Sequence, residues 1–109
     1  MNDDVRHHLP TTSMDVLSFW FSETSRPKWF AKEPSFDAVV SARYEAVLQA
    51  AKRGELFQWR ETIRGRLAEI IVLDQFSRNI HRGTAAAFES DAQALVLAQE
   101  AVRDEARFE

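Results

Sequence analysis

An all-α fold, with antiparallel helices numbering about four and joined by short connections, is what the periodicity of this chain predicts. Apolar residues recur every three or four positions through separate segments, the spacing that gathers them on one side of a helix. No period-two alternation marks a strand anywhere. The 109 residues include only three Gly and three Pro, and Ala, Leu, Glu, Gln and Arg, which suit helix interiors, are abundant. A chain of this length makes one small domain with a core of limited size.

Residues 1–12 read as a disordered lead, leaving 13–109 as the helical domain. Thr12 or Ser13 offers an N-cap, and Asp15 in the first turn complements the helix dipole. In the helix that follows, Met14, Val16, Leu17, Trp20 and Phe21 share one broad face. Phe19 points elsewhere and needs a second neighbour. This helix is expected to end near Ser25, ahead of Pro27. Trp29 and Phe30 have no use in a solvated connection, so they are expected to plug a helix junction.

Ser35 is the expected N-cap of the second helix, which runs to Lys52 or Arg53 and stops at Gly54 as its C′ residue. Phe36, Val39, Val40, Val47, Ala50 and Ala51 form its stripe, flanked by Tyr44 and Leu48. Arg43 falls inside that stripe. It either packs its stem along the surface with its head in water, or turns inward to an ion pair. Leu56, Phe57 and Trp59 anchor the next junction. The third helix spans Thr62 to Phe76, with Ile63, Leu67, Ile70 and Ile71 on its principal face and Asp74 at the centre of that face. Ala68, Val72 and Phe76 make the opposite side apolar too, the pattern of a helix covered on two sides. The fourth helix begins between Thr84 and Ser90, where Ser90-Asp91-Ala92-Gln93 fits a capping box. Its stripe is Ala94, Leu95, Ala98, Ala101 and Val102, and the pattern still runs at Ala106-Arg107-Phe108.

Composition excludes several classes. A net charge of −3 and a pI near 5.6 oppose nucleic-acid binding, which relies on concentrated positive charge. With no Cys, neither a disulfide nor a thiolate metal site can form. No apolar run approaches the roughly 20 residues of a membrane span, and the polar first ten residues lack the apolar core of a signal peptide. A soluble cytoplasmic protein without cofactor or metal is the expectation; His7 and His8 would need metal ligands from elsewhere.

The stretch Leu73-Asp74-Gln75-Phe76-Ser77-Arg78-Asn79-Ile80, followed by Arg82-Gly83-Thr84 and Ala87-Phe88, resembles the signature of a bacterial family catalogued only as domain of unknown function 924. Val16-Leu17, Phe19-Trp20-Phe21, Trp29-Phe30, Phe36-Asp37, Gly54-Glu55-Leu56 and Trp59 match in order and spacing. The resemblance implies a helical fold grouped with tetratricopeptide-like proteins, a class that commonly serves as interaction scaffolding, and it implies no activity. Members usually carry Pro where Ser77 and Ala85 stand. The family domain also continues into further helices with a His-Ser-Glu-Asp type motif, so the resemblance implies an N-terminal portion of a longer domain. An apolar surface meant for those helices should then be exposed or covered by another chain, including a second copy pairing through Leu95, Ala98 and Val102.

The candidate site is the polar cluster Asp74, Gln75, Arg78, Asn79 and Arg82. Asp74 and Arg78 stand four apart, the favourable order for a helical ion pair. Two readings stay open. In one, Asp74 and an Arg (Arg78, or Arg43 as competitor) form a buried clasp while Gln75 and Asn79 cap backbone carbonyls. Asp74→Ala would then cost a few kcal/mol by stranding a buried guanidinium. In the other, Arg78 and Arg82 form a fork for a small carboxylate or phosphate, aided by free N–H groups near Thr84. No residue is assigned as catalytic, although Asp74 and His81 are the acid/base candidates if there is chemistry. Asp91, in a first turn, reads as a dipole partner. The functional expectation is an interaction module whose polar groove is mainly structural, with a small-anion binder or enzyme as the alternative.

Overall fold

All regular structure among the described residues is helical, as the periodicity requires. The computed structural model describes residues 11–24, 26–30 and 32–104, apart from the side chains of Arg26 and Phe30. The lead with His7 and His8, the expected helix end at Ser25, the packing of Phe30, and the run over Ala106, Arg107 and Phe108 lie outside the described residues.

The first helix, α1 (Ser13–Ser18), is closed by a capping box: the Asp15 N–H donates to Thr12 Oγ1 at 3.2 Å and the Thr12 N–H donates to the Asp15 carboxylate at 3.0 Å. Thr12 therefore belongs to the helix rather than to a lead. Beyond Ser18 the coil widens into a π-turn, Phe19–Glu23. Wider turns, bonded i to i+5, break the 100° step that the face assignment assumed. Across this turn Phe19 and Trp20 both face the core, and Phe21, expected on the buried face, is more than half exposed; so is Met14 in the regular turn before it.

The short helix α2 (Arg26–Phe30) brings Trp29 back over this π-turn, where it stacks on Trp20 and its indole N–H donates to the Trp20 carbonyl at 2.9 Å. That bond gives the aromatic plug a fixed seat. The long helix α3 (Pro34–Lys52) starts two residues earlier than Ser35 as N-cap implied. Pro34 occupies its first position, where a missing N–H costs nothing, so the N-cap is Glu33. Its buried line is Phe36, Val40, Tyr44, Val47 and Leu48, and Val39 lies outside it. At the far end Gly54 adopts φ 75. The Gly54 N–H reaches the Ala51 carbonyl at 3.0 Å and the Glu55 N–H the Ala50 carbonyl at 2.9 Å, the paired bonds of a Schellman stop. Leu56 then enters the core, whereas Phe57, expected to anchor the junction, is exposed.

A 3₁₀ turn (Phe57–Glu61) leads to the central rod: α4 (Ile63–Ile71), a π-turn (Val72–Phe76) and α5 (Ser77–Ile80) run without a break. Thr62 caps the rod through the Gly65 N–H. The rod outlasts its expected end at Phe76, because nothing before the turn at His81 interrupts it. α3 packs on the π-turn and α5, while α1, the 3₁₀ turn and the last helix pack on α4. The side read from sequence as principal is divided: Ile71 is buried in the core, but Leu67 is exposed and Ile63 and Ile70 are half-buried, while Ala68, Leu73, Val72 and Phe76 are sealed. Phe76 meets Phe19, Trp20 and Tyr44 with ring centroids 6.0, 5.8 and 4.6 Å away. The two π-turns thus meet through their aromatics at the centre of the molecule.

After a second 3₁₀ turn (Ala85–Phe88), α6 (Asp91–Asp104) closes the fold. Gln93 does not complete a capping box; its side-chain amide donates to the Ala51 carbonyl at 3.1 Å, tying α6 to the end of α3. Leu97, not Leu95, is the buried leucine of α6, and Leu95 and Val102 face outward.

Candidate functional site

The π-turn at Val72–Phe76 leads directly into α5, and their polar side chains open onto one concavity of about 310 Å³, lined by Trp29, Asp74, Gln75, Arg78, Asn79 and Arg82. The five residues singled out from sequence therefore share a wall, with Trp29 as its aromatic part. They do not form one cluster. Two networks divide them.

In the first network, Arg78 Nη1 donates to Asp74 Oδ1 at 2.8 Å and to the Asp74 carbonyl at 3.0 Å. Gln75 donates to the other Asp74 oxygen at 2.6 Å. The outer edge of Arg78 faces Asp91 of α6, with Nη1–Oδ1 and Nη2–Oδ2 both at 3.4 Å. The Phe88 ring lies over the guanidinium at 5.1 Å. Asp74 and Arg78 keep 33% and 37% of their side-chain surface exposed. The expectation that Asp74 is buried among aliphatics is thus corrected: the carboxylate stands at a groove wall.

The second network was invisible in the motif. Arg82 grips Asp37 of α3 through Nε at 2.6 Å and Nη2 at 3.0 Å, and Asn79 donates to the same carboxylate at 2.9 Å. Burial works to raise the Asp37 carboxyl, but the hydrogen bonds from Arg82 and Asn79, with the Arg82 charge, outweigh it and hold the group below its ordinary range. Arg82 is engaged by Asp37, so it does not join Arg78 in a two-arginine fork. Asn79 and Gln75 bind carboxylates rather than capping carbonyls. Arg43 does not compete for Asp74; it pairs with Glu23 at 3.2 Å and lies over the Phe19 ring, on the surface with a packed stem. Thr84 heads only a 3₁₀ turn, and its hydroxyl donates to the His81 carbonyl. His81 does not line the groove, so Asp74 and His81 are not brought together there. Among the described residues no group of three potential metal-ligating side chains is assembled, and no helix is long and apolar enough to cross a membrane.

The model of a bacterial family of proteins of unknown function, DUF924, matches residues 16–109. The chain belongs to this family. A solved structure of a protein of unknown function from Agrobacterium tumefaciens is 38% identical and superposes with a TM-score of 0.80 over 85% of this chain. This chain spans about half of that structure, 52% of its length. No protein of curated function matches.

A further charged pair in this DUF924 chain escaped the sequence reading. Glu69 of α4 is wholly buried, and Arg60 of the 3₁₀ turn meets both its oxygens at 2.8 Å. Nothing in the local pattern flags Glu69 except a glutamate inside the most apolar run of the chain. The pair fastens the 3₁₀ turn to the rod and lies away from the groove lining.

Proposed function

We propose that this protein is a helical interaction module that docks an amphipathic helical segment on the face shared by α1, α4 and α6. One observation carries the reading. A groove of about 350 Å³ between α4 and α6 is walled by Ile63, Leu67, Ile70, Ala98, Ala101 and Val102, with Arg64 as its charged member. A second groove of about 430 Å³ shares Arg64 and Leu67 and continues over Met14, Leu17 and Phe21. The two grooves therefore run together as one mainly apolar face on the side where α1, α4 and α6 meet. Arg64 has no ionic partner among the described residues, so the favoured occupant presents apolar residues at i, i+3 and i+4 and a carboxylate toward Arg64. The tetratricopeptide-like character implied by the family resemblance agrees with such a role.

The Agrobacterium structure contains about as much chain outside the match as within it, and that unmatched segment is the probe of choice. Expressed separately and titrated calorimetrically into this chain, it is expected to form a 1:1 complex weakened by Val102→Asp and by Arg64→Glu. Absence of heat and of co-elution, with this chain folded by circular dichroism, would refute the reading. A homodimer dissolved by Val102→Asp would assign the groove to a second copy instead.

A further inference from the structure

We propose that the polar groove is a receptor for a small organic monocarboxylate, read by Arg78, with Asp91 as a built-in stand-in that the ligand displaces. This goes beyond the docking face, which lies on other side chains. The guanidinium of Arg78 is aimed before any ligand arrives. Asp74 holds Nη1 through its carboxylate at 2.8 Å and its carbonyl at 3.0 Å, and the Phe88 ring covers the plane at 5.1 Å. The remaining edge meets Asp91 in a parallel two-oxygen fork, but at 3.4 Å on both arms. Closed forks of this kind run at about 2.7–2.9 Å. Nη1 has two hydrogens and three acceptors, and the Asp91 contact is the weak share. The fork therefore points at an oxyanion without closing on it. Asp91 also sits in the first turn of α6, where the helix dipole steadies its charge when Arg78 lets go.

Charge selects the class of ligand. Asp37, Asp74 and Asp91 set three carboxylates against the guanidiniums of Arg78 and Arg82 around the groove, an excess of one negative charge. Swinging Asp91 aside leaves two carboxylates against two guanidiniums, so a single incoming carboxylate returns the groove only to its resting excess of one, whereas a dianion would raise that excess to two. The cavity of about 310 Å³ stands at the small end of ligand sites, which run from roughly 300 to 1,000 Å³. Trp29 supplies an aromatic wall for the body of the molecule. Finally, the wall is carried by a π-turn, a conformation frequent at functional sites.

The test is a fluorescence titration, exploiting Trp29, of the parent, Asp91→Asn and Arg78→Lys with sodium benzoate and separately with inorganic phosphate at constant ionic strength. Benzoate is expected to give a saturable change in the parent. Removing the competing carboxylate in Asp91→Asn should tighten benzoate binding about tenfold, and Arg78→Lys, which keeps the charge but loses the fork, should weaken it about tenfold. Circular dichroism of each variant verifies folding, and the gain in Asp91→Asn does not depend on Arg78→Lys being stable. No saturable response in either the parent or Asp91→Asn overturns the proposal. So does benzoate affinity unchanged by Asp91→Asn, or phosphate binding more tightly than benzoate.

Discussion

Two acidic residues on the central rod, five positions apart, show how position decides the worth of a charge. Glu69 has no exposed surface, and among the described residues its ionic partner is Arg60. Arg60→Ala strands a carboxylate in the core, and breaking such a pair costs about 3–5 kcal/mol, read from urea unfolding. Asp74 was expected to behave this way, but it and Arg78 each keep a third or more of their surface in contact with solvent. Asp74→Ala should therefore cost less than about 1 kcal/mol; an equal loss in both variants would sink the distinction. Asp37 adds a pH signature. Its folded pKa lies below the ordinary 3.8, so its stabilisation is complete above that value and disappears as pH falls through the lower, folded-state value. Between pH 7 and pH 3 the parent should lose more stability than Asp37→Asn, by urea midpoint; parallel pH profiles would count against this. The motif made Asp74, Gln75, Arg78, Asn79 and Arg82 legible because one short stretch carries them all. Asp37 was not, since its partners are distant in sequence and a carboxylate in a first helical turn already has a local explanation.

At the scale of elements, ends governed by nearby chemistry were legible, and the interiors were less so. Thr12 and Gly54 act as read, each through bonds within a few residues. Ser35 failed as a cap because Pro34 is content at the first helical position. The π-turns have no one-letter signature, and within each the 100° step used to project helix faces does not hold. Gly65 is another feature that only tertiary structure explains. A Cβ there would sit 1.9 Å from the Trp59 carbonyl oxygen, so the glycine lets α4 press against the 3₁₀ turn. Gly65→Ala, ordinarily favourable in a helix, should instead destabilise by about 1–3 kcal/mol or more through forced backbone movement. A raised melting temperature would contradict it.

For the molecule as a whole, helix content and the central place of the third helix followed from the apolar pattern, because a rod apolar on two flanks has to be covered on both. Which flank is core and which is rim did not follow, since Leu67 and Leu73 look alike until their neighbours are placed. The same ambiguity exchanged Leu95 for Leu97 on α6. Leu97→Ala should cost about 2–5 kcal/mol as a core truncation, while Leu95→Ala should stay within about 0.5 kcal/mol as a surface change. Thermal melts of the two variants measure the difference, and equal effects would misplace the core.

The bulge in the rod has an evolutionary corollary. Removing any single amino acid from Val72–Phe76 would let the rod relax into an ordinary α-helix, a gain for local geometry. The five residues of the wider turn sweep about the same angle as four residues of regular α-helix, so everything downstream would keep its present facing. Arg78 would stay opposite Asp91, and Asn79 and Arg82 opposite Asp37. A one-codon deletion at this point would thus cost only the contacts of the turn itself, whereas the same deletion inside α4 would swing α5 by about 100° and dismantle both charge networks together.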